Sequence, residues 1–352
     1  MYLFINKSIE NMIYYFKKYI TVFKTQKNVY IYHNKDNNKS LSFILNDNII
    51  NKIQIVLEKG IEEDQIKKDI IYNKLFKNDF LYTNKYFQKK KEIKRTELFL
   101  NYLYNDLSEK ELISAKSTKL LIYGAGGAGS SLIYLLAQFG FKNMTIVDFD
   151  IVETSDVFRT MRFQKKDIAR QKIKVLQEDI KNNFSIDIEI IEGSFSEKEE
   201  LKKLVKNIDP DFIINACDPK PSFKLNLNEI CFKYKIPYIT LAYSYELILI
   251  GPIYIPSITS CENSFDKLVQ ESFGENHSYN NVENIFNDQL VHPSNSFNIN
   301  ILSSLGFKEI LFFLLKKFDY CQTIGQRISF NPLTYNVSSK KATCDTSCNI
   351  CQ

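Results

Sequence analysis

The stretch that decides the fold of this 352-residue chain is residues 120–131, LLIYGAGGAGSS. Its four apolar residues predict a buried strand, and a glycine-rich turn follows and opens a helix near Ser130. Four glycines leave backbone N–H groups open to close approach by a phosphate, which the positive end of the helix also attracts: Gly124, Gly126, Gly127 and Gly129. The motif predicts a nucleotide site, and a tight turn without any ligand is the alternative.

Short apolar strands alternate with helices after residue 119, which is typical of a mainly parallel sheet with helices on both faces. The predicted strands are 120–123, 144–147, 186–191, 212–216 and 238–241. The predicted helices are 130–139, 166–183, 198–206 and 223–234. The fold class is therefore α/β with a doubly wound sheet, whose ligands bind beyond the carboxyl ends of the strands. We also expect two strands joined by a turn within 238–256 and an apolar helix over 298–318, in the core or at a dimer interface.

Residues 1–90 predict a separate winged-helix-like module. Segments 29–33 and 41–45 flank a polar turn and predict a hairpin. Helical patterns follow near 48–58 and 62–76, the second with one apolar face formed by Ile66, Ile70, Ile71 and Leu75, and 80–82 predicts a short strand. Such modules bind DNA or peptides, and a packing appendage is the alternative. We expect a linker over 91–118 and the α/β domain over 119–352, with a crossover insertion at 261–293 and a cysteine-rich tail.

Composition excludes several classes of protein. Apolar residues make up 44% of the chain, enough for real cores, and 46 Lys+Arg against 41 Asp+Glu leave a net charge of +5, which does not indicate nucleic-acid binding. No run of about 18 uninterrupted apolar residues occurs, and the first residues lack the pattern of a secretory signal. We therefore expect a cytoplasmic protein without a membrane or nucleic-acid partner.

The charged residues after the glycine turn narrow the choice of ligand. Asp148 falls nineteen positions past Gly129 at the end of the next strand, where it would accept hydrogen bonds from ribose hydroxyls, and Asp150 follows it. Arg159 and Lys172 add a planar fork and a point charge that suit a phosphate chain. Taken singly, each of these cations is equally well explained as an ordinary charged side chain on a solvated surface.

These residues and spacings resemble the ThiF/MoeB/ubiquitin-activating superfamily, in which a DxD leads to an SNLxRQ segment, a G-x-x-K and a later strand-end Asp. The resemblance implies a Rossmann-like adenylation domain in which Arg159 and Lys172 bind phosphate and Asp218 holds Mg²⁺. Attack on the α-phosphate of ATP needs such fixed cations and a metal rather than a general base. The chain departs from the pattern at Asp156, where the family has Asn, and beside Arg159 and Lys172. These departures favour an altered nucleotide or substrate preference.

Within that superfamily the chain is most similar to the MccB group of microcin C peptide-adenylylating enzymes, on residues 251–256, Cys261 and the terminal Cys348-x-x-Cys351. The resemblance implies a homodimer with an amino-terminal peptide clamp. It also implies adenylylation of the C-terminal carboxylate or amide of a short ribosomal peptide with ATP, or with CTP. An arginine that relatives contribute across the dimer has Arg95 as its candidate here.

Relatives in the MccB group hold a structural zinc between two Cys-x-x-Cys pairs. Here the first pair reads Cys261-Glu-Asn-Ser264, so one ligand is missing. Cys344 is the candidate replacement, which would complete a four-thiolate site of Cys261, Cys344, Cys348 and Cys351. A lost metal site with reduced tail thiols is the alternative.

Two other functions stay open at the level of sequence. One is a non-catalytic partner that binds leader peptide, and the other is a nicotinamide oxidoreductase, which leaves Arg159 and Lys172 unexplained. No cysteine lies between Cys261 and Cys321, where ubiquitin-activating relatives place a thioester nucleophile, and this disfavours thioester transfer. Cys217 is predicted to be a small buried residue. The three histidines are scattered, so we expect them at the surface: His33, His277 and His292.

Overall fold

The computed structural model describes residues 12–17, 20–34, 39–83, 95–104, 107–217, 221–273, 294–343, 348 and 350. Contacts divide the chain into two compact units, Met1–Glu109 and Lys110–Gln352.

The first unit combines helices with two small antiparallel sheets. Its strands are β1 (Ile13–Phe16), β2 (Ile20–Lys24), β3 (Asn28–His33), β4 (Ser40–Ile44), β5 (Ile61–Glu62) and β6 (Leu81–Tyr82), and its helices are α1 (Asp47–Glu58), α2 (Glu63–Lys68), α3 (Ile70–Lys77) and α4 (Arg95–Leu103). The sheets have the orders β2-β3-β4 and β5-β1-β6. Alternate residues of β3 face the core with α1, and Ile31 pairs with Leu41 across the hairpin that the sequence predicted.

The prediction of a single helix over 62–76 is wrong, because Asp69 interrupts it and divides it into α2 and α3. This residue has extended backbone angles, and its Oδ1 accepts hydrogen bonds from the N–H groups of Ile71 (2.8 Å) and Tyr72 (3.2 Å). The Asp69 side chain caps α3, and its hydrogen bonds take the place of the backbone hydrogen bonds that a continuous helix would make there. As a result Ile70 is 87% exposed, whereas Leu75 is buried as predicted.

The second unit is built on one eight-stranded sheet. Its strands are β7 (Leu120–Tyr123), β8 (Met144–Asp148), β9 (Glu189–Glu192), β10 (Phe212–Asn215), β11 (Tyr238–Ser244), β12 (Leu247–Tyr254), β13 (Gln326–Asn331) and β14 (Asn336–Lys341). The order is β14-β13-β12-β11-β10-β7-β8-β9, parallel from β11 to β9 and antiparallel from β11 to β14. The predicted α/β class with a mainly parallel sheet is confirmed, as is the strand pair after residue 238.

Helices precede and alternate with the parallel strands, and two more follow β12. They are α5 (Glu109–Lys116), which begins at the unit boundary, α6 (Gly127–Phe139), α7 (Thr154–Arg159), α8 (Lys172–Phe184), α9 (Lys198–Ile208), α10 (Pro221–Tyr234), α11 (Glu262–Phe273) and α12 (Ser296–Leu314). β7 and α6 meet at the glycine turn, so the turn lies at the carboxyl edge of the parallel strands.

The apolar helix α12 is long and apolar enough to cross a membrane by length and composition, and half of its residues are buried inside the protein. The Ser303 hydroxyl donates to the carbonyl oxygen of Ala128 at 2.8 Å. A Cβ on Gly127 would lie 2.7 Å from Ile299, so the glycine admits α12 close to α6. The prediction of a core helix is confirmed.

The expected crossover insertion at 261–293 begins with the helix α11. The first N–H of this helix donates to the side-chain oxygen of the buried Asn228 at 3.2 Å, and residues 274–293 lie outside the described part.

Two predictions outside the main sheet need correction. Cys217 is half-buried rather than buried, because it lies past the end of β10. His33 is buried rather than exposed, since β3 turns it toward the Phe80 ring, and the other two histidines fall outside the described residues.

Candidate functional site

Two glycines of the turn are fixed by packing. Gly124 has φ +97°, which lies in the left-handed region, and a Cβ there would approach the backbone of Ala216 and Cys217 to 2.7 Å. A Cβ on Gly129 would overlap the carbonyl oxygen of Gly124. The turn therefore passes tightly beside the end of β10.

Gly126 differs from these two glycines, because a Cβ there would meet no atom of the protein within 4 Å. It is the N-cap residue of α6 and has no side chain to cap the helix. The first N–H groups of an α-helix have no intrahelical partner, and they carry the positive end of the helix dipole. The open space beside Gly126 thus fits an anionic group that approaches the backbone closely.

Asp148 ties the glycine turn to the end of β8. Its two carboxylate oxygens accept hydrogen bonds from the backbone N–H groups of Ala125 (2.6 Å) and Asp150 (2.7 Å). Burial raises the pKa of this carboxyl group, and the two amide hydrogen bonds partly offset that effect. The predicted contact with ribose would have to use the remaining lone pairs, since the side chain is 9% exposed.

Lys172, the first residue of α8, is held inside the site. Its side chain is 6% exposed, and Nζ lies 3.1 Å from Asp150 Oδ2 and 3.4 Å from Asp156 Oδ2. The Asp150 side chain is 51% exposed, and its carbonyl oxygen accepts the Lys172 N–H at 3.0 Å. The ammonium group is therefore fixed at the edge of the sheet rather than solvated on a helix surface.

Arg159, the last residue of α7, is bound to the same carboxylate. Its Nη2 and Nε lie 2.7 Å and 3.2 Å from Asp156 Oδ1, and Nη1 donates to the Ser294 hydroxyl at 3.2 Å. Burial alone would raise the pKa of Asp156, but the Arg159 hydrogen bonds, the Glu153 N–H and the Lys172 charge lower it. The predicted cations Arg159 and Lys172 are thus brought together around one buried carboxylate.

In the sequence, Asp156 stands out only as a departure from the family pattern. The i,i+3 spacing of Asp156 and Arg159 on a short helix was the available signal. The contact with Lys172 had no local signal, because Lys172 lies sixteen positions after Asp156 in the chain.

Two other predicted site residues, Asp218 and Arg95, stay predictions. Asp218 lies outside the described residues, three positions past the end of β10 at Asn215. Arg95 begins α4 in the first unit, and its part in the site stays a prediction.

The predicted zinc ligands are described in part. The Sγ atoms of Cys261 and Cys348 lie 3.5 Å apart, and both side chains are buried. A disulfide places its sulfurs about 2.05 Å apart, so the pair is not a disulfide. The distance fits two reduced thiols in contact, and it also fits two thiolates on a shared tetrahedral zinc, which lie about 3.8 Å apart. Within the described residues no group of three metal-ligating side chains forms, and Cys344 and Cys351 lie outside them.

A doubly wound sheet, an open glycine turn and two cations held on one buried carboxylate fit an α/β protein of the E1-like adenylating type. The chain belongs to the ThiF family, which it matches over residues 100–348.

Solved structures similar to the chain include the microcin C7 biosynthetic enzyme MccB in complex with N-formylated MccA, with a TM-score of 0.72 and 19% identity over 97% of this chain and 100% of that chain. E. coli MccB with ATP has a TM-score of 0.70 and 18% identity, with coverage of 97% and 99%. At this identity the likeness shows a shared fold.

A curated relative is similar at the level of sequence. SUMO-activating enzyme subunit 2 of Dictyostelium discoideum is 29% identical over 140 residues, which are 40% of this chain and 21% of that protein. The chain thus spans about a fifth of the length of this relative.

Proposed function

We propose that the chain is an ATP-dependent adenylyltransferase that activates the C-terminal carboxylate or amide of a short ribosomal peptide, in the biosynthesis of a microcin-C-like peptide-nucleotide antibiotic. The observation that carries the proposal is the pair of fixed cations, Arg159 and Lys172, in the same unit as an open glycine turn. Membership of the ThiF family supports adenylation. The similar MccB structures, one with ATP and one with the peptide MccA, support a nucleotide and a peptide as substrates.

The proposed step is attack of a peptide oxygen on the α-phosphorus, which forms a P–O bond and releases pyrophosphate. Negative charge grows on the phosphoryl oxygens and on the leaving group, and fixed cations stabilise it most where water is excluded. Buried Lys172 and half-buried Arg159 meet that requirement. The N–H groups after Gly126 would hold a phosphate at the start of α6. Mg²⁺, with Asp218 as its proposed ligand, would supply further charge neutralisation.

Further parts of the proposal rest on the family resemblance. The first unit would clamp the peptide, two copies would form a homodimer with Arg95 acting across it, and Cys261, Cys344, Cys348 and Cys351 would hold a structural zinc. CTP is an alternative nucleotide, and the proposed compartment is the cytoplasm.

The test is exchange of labelled pyrophosphate into ATP with Mg²⁺ and a synthetic library of short peptides that end in Asn. We expect peptide-dependent exchange in the unchanged protein and a loss of 100-fold or more in Arg159→Gln, because a cation that contacts the transition state is removed. Lys181→Gln is the matched control, since it removes one positive charge from an exposed pair with Asp187.

Two results would contradict the proposal. Equal exchange rates in Arg159→Gln and Lys181→Gln would show that the assigned site is wrong. Peptide binding without any exchange would favour the non-catalytic peptide-binding alternative.

A further inference from the structure

The side chain of Asp156 is 1% exposed, yet it carries a charge. A buried carboxylate is costly unless ion pairs and hydrogen bonds surround it. Here Oδ1 accepts from Arg159, and Oδ2 accepts from the Glu153 N–H at 3.1 Å and lies 3.4 Å from Lys172 Nζ. Each oxygen of this carboxylate therefore engages one of the two cations.

This arrangement fixes where the two cations point. Two of the three guanidinium nitrogens of Arg159 contact Asp156, and the third contacts Ser294. Lys172 Nζ is held between the carboxylates of Asp150 and Asp156. Neither cation has to be ordered when a phosphate chain binds, because the protein has already ordered both.

The same carboxylate opposes the binding of phosphate. Asp148, Asp150 and Asp156 act electrostatically on Lys172. Glu153 and Asp156 act on Arg159, so among these described residues the carboxylates outnumber the two cations. A single negative charge about 12 Å from a phosphate weakens its binding by about tenfold at the effective dielectric of a protein surface, and a closer charge weakens it more. Asp156 thus orders the cations and also weakens their attraction for a nucleotide.

We propose that Asp156 is a positioning residue that orients Arg159 and Lys172 and limits the affinity of the site for the triphosphate and for departing pyrophosphate. The inference rests on the proposed function. The neutral Asn of the family pattern cannot supply this charge, so the effect belongs to this chain.

The experiment compares the unchanged protein with Asp156→Asn, Asp156→Ser and Asp156→Ala. Dissociation constants for a non-hydrolysable ATP analogue with Mg²⁺ are measured by calorimetry, and kcat and KM are measured by peptide-dependent exchange. In Asp156→Asn we expect about tenfold tighter binding of the analogue with a lower kcat, because the amide keeps an acceptor for Arg159 but loses the charge. Asp156→Ala loses the acceptor too, so we expect a kcat at least tenfold below that of Asp156→Asn.

Asp187→Asn is the matched control, because it removes the same charge from a side chain that is 78% exposed, and we expect an unchanged dissociation constant. Tightening in Asp156→Asn or in Asp156→Ser supports the inference, since a merely structural defect does not strengthen binding. Affinity within twofold of the unchanged protein, or weaker, in both folded variants overturns it. If the unchanged protein binds no nucleotide, the proposed function fails first and this inference fails with it.

Discussion

Gly124 and Gly126 lie two positions apart, but Gly124 is required by tight packing, whereas Gly126 borders open space. A methyl group on Gly126 would meet no protein atom, whereas one on Gly124 would press into the backbone of Ala216 at a positive φ. We expect Gly126→Ala to unfold at the same temperature as the unchanged protein and to bind the ATP analogue at least tenfold more weakly, because the methyl group occupies the space that a phosphate needs. Gly124→Ala should lose about 2 kcal/mol or more in free energy of unfolding.

Thermal unfolding and calorimetric titration of both glycine variants check this prediction. Equal nucleotide affinity in Gly126→Ala and the unchanged protein would show that phosphate does not approach the turn. A normal unfolding temperature for Gly124→Ala would show that the close contact with β10 is relaxed in solution.

Glu262 gives a prediction about pH. Burial, and secondly the charge of Asp266, raise the pKa of its carboxyl group, and Arg327 at 3.7 Å offsets only part of this. Because the pKa of Glu262 is raised in the folded state, its protonated carboxyl group contributes fully to the stability of the fold below the ordinary pKa of 4.5. This contribution is lost as the pH rises through the higher pKa of the folded state. Glu262→Gln imitates the protonated form.

We therefore expect Glu262→Gln to match the unchanged protein near pH 4.5 and to exceed it at pH 8 by on the order of 1 kcal/mol in free energy of unfolding. Urea unfolding at the two pH values measures the difference. Glu246→Gln, in the exposed turn between β11 and β12, is the control and should show no such pH dependence. Lower stability of Glu262→Gln at pH 8 would mean that the ion pair with Arg327 outweighs burial.

At the scale of elements, Asp69 separates α2 from α3 and also contacts Lys52 Nζ. Loss of an N-cap typically costs about 1 kcal/mol, and loss of the partner of Lys52 adds to this. We expect Asp69→Ala to destabilise the first unit by about 1–2 kcal/mol and to speed hydrogen exchange of the α3 amides. Asp64→Ala, an acidic residue in the first turn of α2, is the control; equal exchange in the two variants would contradict the capping role.

The elements that could be predicted from the sequence are those whose own residues determine them. Four of the five parallel strands, β7, β8, β10 and β11, are apolar runs, and α9 carries a clear apolar face. The break at Asp69 was missed because a capping side chain competes with helical periodicity there. The helix α11 was missed because its start depends on the distant Asn228.

The candidate site, like the fold, has parts that local sequence predicts and parts that depend on distant contacts. Residue types, spacings and the family resemblance single out the glycine turn, Asp148, Arg159 and Lys172 as candidates, and their part in binding stays a prediction. Asp156 could not be assigned its role, because a carboxylate on a short helix is ordinarily solvated. Only the packing of α7 against the start of α8 shows that it is buried between two cations.

At the scale of the whole molecule, two cysteines that are 87 positions apart in the chain, Cys261 and Cys348, lie in contact. Buried Cys261 lies just before α11, and Cys348 follows the last strand, β14, so a metal between them would fasten the end of the chain to the sheet domain. Metal binding contributes directly to stability when the site forms only in the folded chain. The 3.5 Å between the two Sγ atoms fits such a site.

We expect about one zinc ion per chain in protein purified without chelator, measured by elemental mass spectrometry. Removing the metal should lower the unfolding temperature by several degrees, because a large closed loop is released. Cys261→Ser and Cys348→Ser should retain little zinc and should not respond to chelator, whereas Cys217→Ser, half-buried at the end of β10, should behave like the unchanged protein. Zinc-free unchanged protein with the same unfolding temperature as the two serine variants would instead identify the pair as packed, reduced thiols.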